Sequence, residues 1–111
     1  MMQVAGLKAS LDGGGSLLVL DVRTAADFDG EQGHIRGALN LPLEDLAERL
    51  AGLGDDPERP IALVCRTDRR SAKAAVLLAE RGFAQIHVVQ GGMTAWIDQG
   101  WPVERNPIQP E

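Results

Sequence analysis

Two spacings of apolar residues alternate along the chain. Leu17-Leu18-Val19-Leu20, Ile61-Ala62-Leu63-Val64 and Ile86-His87-Val88-Val89 are short, mostly apolar runs with the length and composition of strands buried in a parallel sheet. Between them the apolar residues recur at helical spacing: Leu7 and Leu11 within Val4 to Leu11, positions 43, 46, 47 and 50 within Leu43 to Leu50, and positions 72, 75, 76 and 79 within Ala72 to Arg81. A last helix is predicted from Met93 to Gln99. Glycines and polar residues punctuate these segments, with Asp12 to Ser16 closing the first helix, Gly82 ending the one from Ala72 and Gly100 the last. Thr24 is placed to cap a short helix, Ala25 to Phe28. Gly33 to Asn40 is read as a turn leading into a short strand whose pairing Pro42 stops, and Met1 to Gln3 as an added edge strand. Strands alternating with helices at these intervals predict a doubly wound α/β domain: a mostly parallel sheet of four or five strands with helices on both faces.

Composition narrows the picture. With 111 residues, 44% of them hydrophobic, the chain suits one domain with one core, expected to span 1–105, with 106–111 as an irregular tail carrying Pro107 and Pro110. The net charge of −5 argues against binding to a nucleic-acid backbone. A single cysteine cannot form an internal disulfide, which favours a reducing, cytoplasmic setting. The N-terminus shows no basic stretch leading into an apolar one, and the longest apolar runs are far short of a membrane span, so no membrane association is expected.

The chemistry concentrates at the end of the run Ile61 to Val64. Cys65 follows it directly, and Arg66-Thr67-Asp68-Arg69-Arg70-Ser71 comes next, just before a helix. Backbone N–H groups at such a helix start have no intrahelical partners, and the helix dipole favours negative charge, so thiolate and anionic substrate are both stabilised there. Three arginines add to the effect. Activation of the thiol is expected from this surrounding rather than from a general-base histidine, since neither His34 nor His87 is placed to serve as one. Plainer readings stand beside these: Cys65 as a small core residue, the arginines as a solvated charge run, and Ser71 as a helix cap. Arg23 is expected to pair with Asp27 or another carboxylate. His34 is expected to make a turn hydrogen bond, Met93 and Trp96 to pack. No metal site is expected, because His34 has no second ligand at a suitable spacing.

Leu20-Asp21-Val22-Arg23, Gly33-His34-Ile35-Arg36-Gly37-Ala38-Leu39-Asn40-Leu41-Pro42, Cys65 to Ser71, Gly82-Phe83, Gly91-Gly92-Met93-Thr94-Ala95-Trp96 and Gly100-Trp101-Pro102-Val103 occur in the order found in single-domain rhodaneses, and the chain resembles that family of sulfurtransferases. The resemblance implies that Cys65 carries sulfur as a persulfide, taking it from thiosulfate or another small anionic donor and passing it to cyanide or a thiol, with no metal or organic cofactor. It makes Arg66, Thr67, Asp68, Arg69, Arg70 and Ser71 the expected substrate contacts, with Arg36 a further candidate, and a thioredoxin-like protein a possible partner. Family loops carry glycine where this chain has Asp68, so a carboxylate enters a site meant for anions. Two rival functions follow. One is a non-catalytic or regulatory module that binds a protein or senses persulfide. The other is a phosphatase or arsenate reductase, which the short loop disfavours: Cys65 to Arg70 spans six residues, one fewer than those enzymes use.

Overall fold

The computed structural model describes residues 2–14, 17–30, 32–49, 52, 56–67 and 69–104. Four strands, β1 (Leu18–Asp21), β2 (Leu39–Asn40), β3 (Ile61–Val64) and β4 (Ile86–Val88), form an all-parallel sheet in the order β2-β1-β3-β4. The central pair is in register from Leu18 opposite Ile61 to Asp21 opposite Val64. Beyond β4 the expected edge strand is a single bridge, in which Met2 N–H donates to Val88 O and Gln90 N–H to Met2 O, both at 2.8 Å.

The helices are α1 (Val4–Asp12), α2 (Ala25–Phe28), α3 (Leu46–Arg49), α4 (Arg69–Glu80) and α5 (Gly92–Asp98). Alternation along β3 sorts the core. Ile61, Leu63 and Cys65 pack with Leu46 of α3 and with Ala74 and Leu78 of α4. Ala62 and Val64 face the opposite side, among Val4 and Leu7 of α1 and Met93 and Trp96 of α5. The sheet is thus covered on both faces, as the uniformly apolar strands require.

Two expectations need correction. Helix α4 begins at Arg69, three residues before the expected Ala72, and buries Ser71, Ala74 and Leu78 while Val76 is 58% exposed. In a segment this rich in small apolar residues two stripes, about one residue apart in phase, are equally apolar, and the short connection from β3 selects the one beginning at Ser71. The predicted helix Leu43 to Leu50 is a 3-10 turn, Leu43–Asp45, followed by α3. The N–H of Leu43 donates to Val22 O at 3.1 Å, tying the segment to β1 from its first residue, and Ala47 is exposed; Leu50 lies outside the described residues. Residues 101–104 form no helix or strand but are tied to the rest of the domain. Glu104 and His34 exchange backbone hydrogen bonds of 2.7 and 2.8 Å, Trp96 Nε1 donates to Pro102 O at 3.0 Å, and the Trp96 and Trp101 rings meet edge to face. The expected tail, 106–111, lies outside the described residues.

Candidate functional site

The connection leaving β1 leads to β2 on one side, while that leaving β3 leads through α4 to β4 on the other. The C-terminal ends of β1 and β3 therefore flank the point where the winding reverses, which is where an open parallel sheet leaves a crevice. Asp21, Val22 and Arg23 stand at one end and Cys65 and Arg66 at the other. The ladder continues past both strands, with Val22 N–H donating to Val64 O at 2.8 Å.

Arg23 and Asp21 build the first wall. Both are buried, and the guanidinium grips the carboxylate in bidentate fashion, Nε to Oδ1 at 2.9 Å and Nη2 to Oδ2 at 2.7 Å. Nη2 also donates to Gly33 O at 2.8 Å, anchoring the loop after α2. Asn40 Nδ2 donates to Asp21 O and Arg23 O, so the end of β2 is fastened to the same turn. The partner of Arg23 is Asp21 rather than Asp27, and Asp27 has no ion-pair partner among the described residues. Thr24 caps α2 as expected, its hydroxyl accepting from Asp27 N–H.

The cysteine loop is the second wall. Cys65 O accepts from Met93 N–H at 2.8 Å and Arg66 O from Thr94 N–H at 3.1 Å and from Thr94 Oγ1 at 3.0 Å. These carbonyls occupy the first turn of α5. Because no peptide bond described is cis, the N–H groups of Arg66 and Thr67 point the opposite way, to the side of the loop away from α5. Gly92 permits the close approach. Its φ is 51°, and a Cβ there would overlap the carbonyl oxygens of Thr67 and Cys65.

The sulfur does not lie in an open loop. Cys65 is 2% exposed and belongs to the core beneath α4, because its side chain continues the inward alternation of Ile61 and Leu63. Ser71, in the first turn of α4, is fully buried, and its Oγ has no hydrogen-bond partner among the described residues. It therefore does not act as a capping side chain. An unpaired buried hydroxyl costs about 1–3 kcal/mol, which a bound acceptor atom would offset.

The arginines disperse. Arg66 is exposed and, with Arg23, Asp27, Gly30 and Gln32, lines a cavity of about 350 Å³ across the two strand ends. Arg69 and Thr67 are exposed. Arg70 Nη1 pairs with Glu44 at 2.9 Å; the Glu44 carboxyl is held below its ordinary value, first by its own backbone N–H and then by the Arg70 charge. Arg36 is 88% exposed, pairs with Glu104 at 3.6 Å, and lines a different cavity beside Lys8, Trp96 and Glu104. It is not brought to the cavity that Arg66 lines. Asp68 lies outside the described residues. His34 Nδ1 is 3.0 Å from Phe28 O and its ring stacks on that of Phe28, in keeping with a turn-stabilising role. Asp27 and Gln32 were missed as site residues. The available signal was positional, since both follow β1 and any polar residue there borders the sheet's C-terminal edge.

Over residues 3–99 the chain matches the family model described as "Rhodanese-like domain". Thiosulfate sulfurtransferase GlpE of Shewanella oneidensis is 37% identical over 81 residues, covering 73% of this chain and 76% of that protein. The uncharacterized protein YqhL of Bacillus subtilis is 37% identical over 78 residues, 70% of this chain; the match spans only 59% of YqhL's own length. Among solved structures, the Alr3790 protein from Anabaena sp. superposes with a TM-score of 0.82 at 33% identity, covering 93% of this chain and 79% of that one.

Proposed function

Because the chain belongs to the family of rhodanese-like domains, we propose that it moves sulfane sulfur from thiosulfate or a related anionic donor to cyanide or a thiol through a persulfide on Cys65. In the first half-reaction the Cys65 thiolate attacks the outer sulfur of thiosulfate. A sulfur–sulfur bond forms at Cys65, the bond to the sulfonate sulfur breaks, and its electron pair leaves with sulfite. In the second, cyanide or a thiolate attacks the outer sulfur and the electron pair returns to Cys65. No outside oxidant or reductant is needed. Arg66, Arg69, Arg70 and the loop N–H groups stabilise the departing anion, Thr67 and Asp68 complete the loop, and Ser71 Oγ, unpaired before loading, donates to the outer sulfur once the persulfide has formed. A thioredoxin-like acceptor, a cytoplasmic setting and a functional unit of 1–105 belong to the same reading.

The observation that carries it is the orientation of the cysteine loop. The carbonyls of Cys65 and Arg66 are taken up by α5, so the N–H groups of Arg66 and Thr67 face the other side, where an anion would meet them. The test is intact mass after incubation with thiosulfate. A gain of one sulfur atom, removed by cyanide and absent in Cys65→Ala, is expected; no gain would overturn the reading. Asp68→Gly is expected to raise turnover if the carboxylate opposes the donor.

The burial of Cys65 favours a second reading, a rhodanese-like module that binds a partner without turnover. Under it, thiosulfate adds no mass and Cys65→Ala changes stability alone.

A further inference from the structure

The cavity across the ends of β1 and β3 carries a charge pattern that thiosulfate does not call for. Five residues line its roughly 350 Å³: Arg23, Asp27, Gly30, Gln32 and Arg66. The guanidinium of Arg23 is already taken up by Asp21 and Gly33 O. Two unneutralised groups of opposite sign are left, the Arg66 guanidinium and the Asp27 carboxylate, neither with an ion-pair partner among the described residues. A dianion placed there would face Asp27, and a simple amine would face Arg66. A molecule bearing one carboxylate and one ammonium meets both.

We propose that this cavity binds the amino-acid head group of a low-molecular-weight thiol acceptor, its carboxylate on Arg66 and its ammonium on Asp27. The proposal rests on the sulfur-transfer reading and names the acceptor class for it. Arg66 follows Cys65 directly in the chain, so a head group held by Arg66 leaves the thiol of the same molecule near the end of β3. The volume is at the small end of ligand pockets, suited to an amino acid or short peptide. In the discharge step the bound thiol loses its proton to water, and its thiolate attacks the outer sulfur of the Cys65 persulfide. The new sulfur–sulfur bond forms on the acceptor as the bond to Cys65 breaks, and that electron pair regenerates the Cys65 thiolate. Exposed charge contacts are each worth up to about fivefold in affinity, so the head group is held weakly and released readily.

The site is tested by amide chemical shifts of the intact protein titrated with S-methylcysteine, which has the head group but no reactive thiol. Two truncated probes, 3-(methylthio)propionate and 2-(methylthio)ethylamine, lack the ammonium and the carboxylate respectively. Saturable shifts at Asp27 to Gln32 and at Arg66 are expected, with each truncated probe about threefold to fivefold weaker. Asp27→Asn is expected to abolish the advantage of S-methylcysteine over the propionate, and Arg66→Gln its advantage over the amine. No saturable shift, equal affinity for all three probes, or variant effects that ignore which charge was removed would overturn the proposal. Sulfur loading from thiosulfate, read by mass on the same sample, is scored separately. Discrimination without loading would leave the head-group site standing and sink the thiosulfate reading; loading without discrimination would do the reverse.

Discussion

Arg23 and Asp21 have lost nearly all contact with water, and each satisfies the other's hydrogen-bonding groups. Their value to the fold lies mainly in what the loss of one partner would leave behind. Asp21→Ala strands a buried guanidinium and releases the anchor on Gly33, so a loss of about 3–5 kcal/mol is expected in urea unfolding. The pair between Arg70 and Glu44 is at the other extreme, exposed and worth little. Its pH dependence has a definite sign. The folded-state carboxyl titrates below the ordinary glutamate value of 4.5, so the stabilisation is fully present above 4.5 and is lost as pH falls through the lower folded value. The stability difference between wild type and Glu44→Gln should therefore be flat at neutral pH and shrink only on acidification below 4.5; a difference that grows on acidification would refute the assignment.

Helix α5 and the cysteine loop act as one element, because the helix's first turn bonds the loop's carbonyls. Gly92→Ala would force a side chain into those oxygens at a left-handed φ, and a destabilisation of about 2–5 kcal/mol is expected by denaturant titration. Sulfur loading, measured where the variant is still folded, should fall further than the stability change explains, since the loop must tilt. The strands, the sheet class, the cap at Thr24 and the position of Cys65 at a strand end were legible because uniformly apolar runs and capping residues are local signals. The phase of α4 was not legible, because Ala and Leu residues on adjacent stripes leave the choice to tertiary packing. Nor was the burial of Cys65, which depends on α3 and α4 closing over that face of the sheet. The charge partners of Arg36 and Arg70 were equally hidden, because Glu104 and Glu44 come together with their arginines only in the fold; Asp21, two residues from Arg23, is one of the carboxylates the sequence left open to it.

At the scale of the whole molecule, one sheet separates two apolar layers that share its central strands, β1 and β3. Val19 and Leu20 are adjacent in β1, yet they belong to opposite layers. Val19→Ala and Leu20→Ala should each lower the stability of one common transition, by about 1–3 and 2–5 kcal/mol respectively, with fluorescence and circular dichroism traces coinciding. Two separable transitions would show that the layers melt independently. Electrostatics at this scale follows from how the arginines are spent. Arg23, Arg36 and Arg70 are each matched by a carboxylate, so the positive field near Cys65 rests on Arg66 and Arg69 against a molecule of net charge −5. In dilute buffer the screening length, about 30 Å at 0.01 M salt, exceeds the 13.4 Å radius of gyration, and an incoming dianion feels the entire acidic body. Near 0.15 M it shrinks to about 8 Å, and only the nearest guanidinium groups are felt. Encounter with thiosulfate should thus quicken as salt is added, the opposite of what a basic receptor for anions would do.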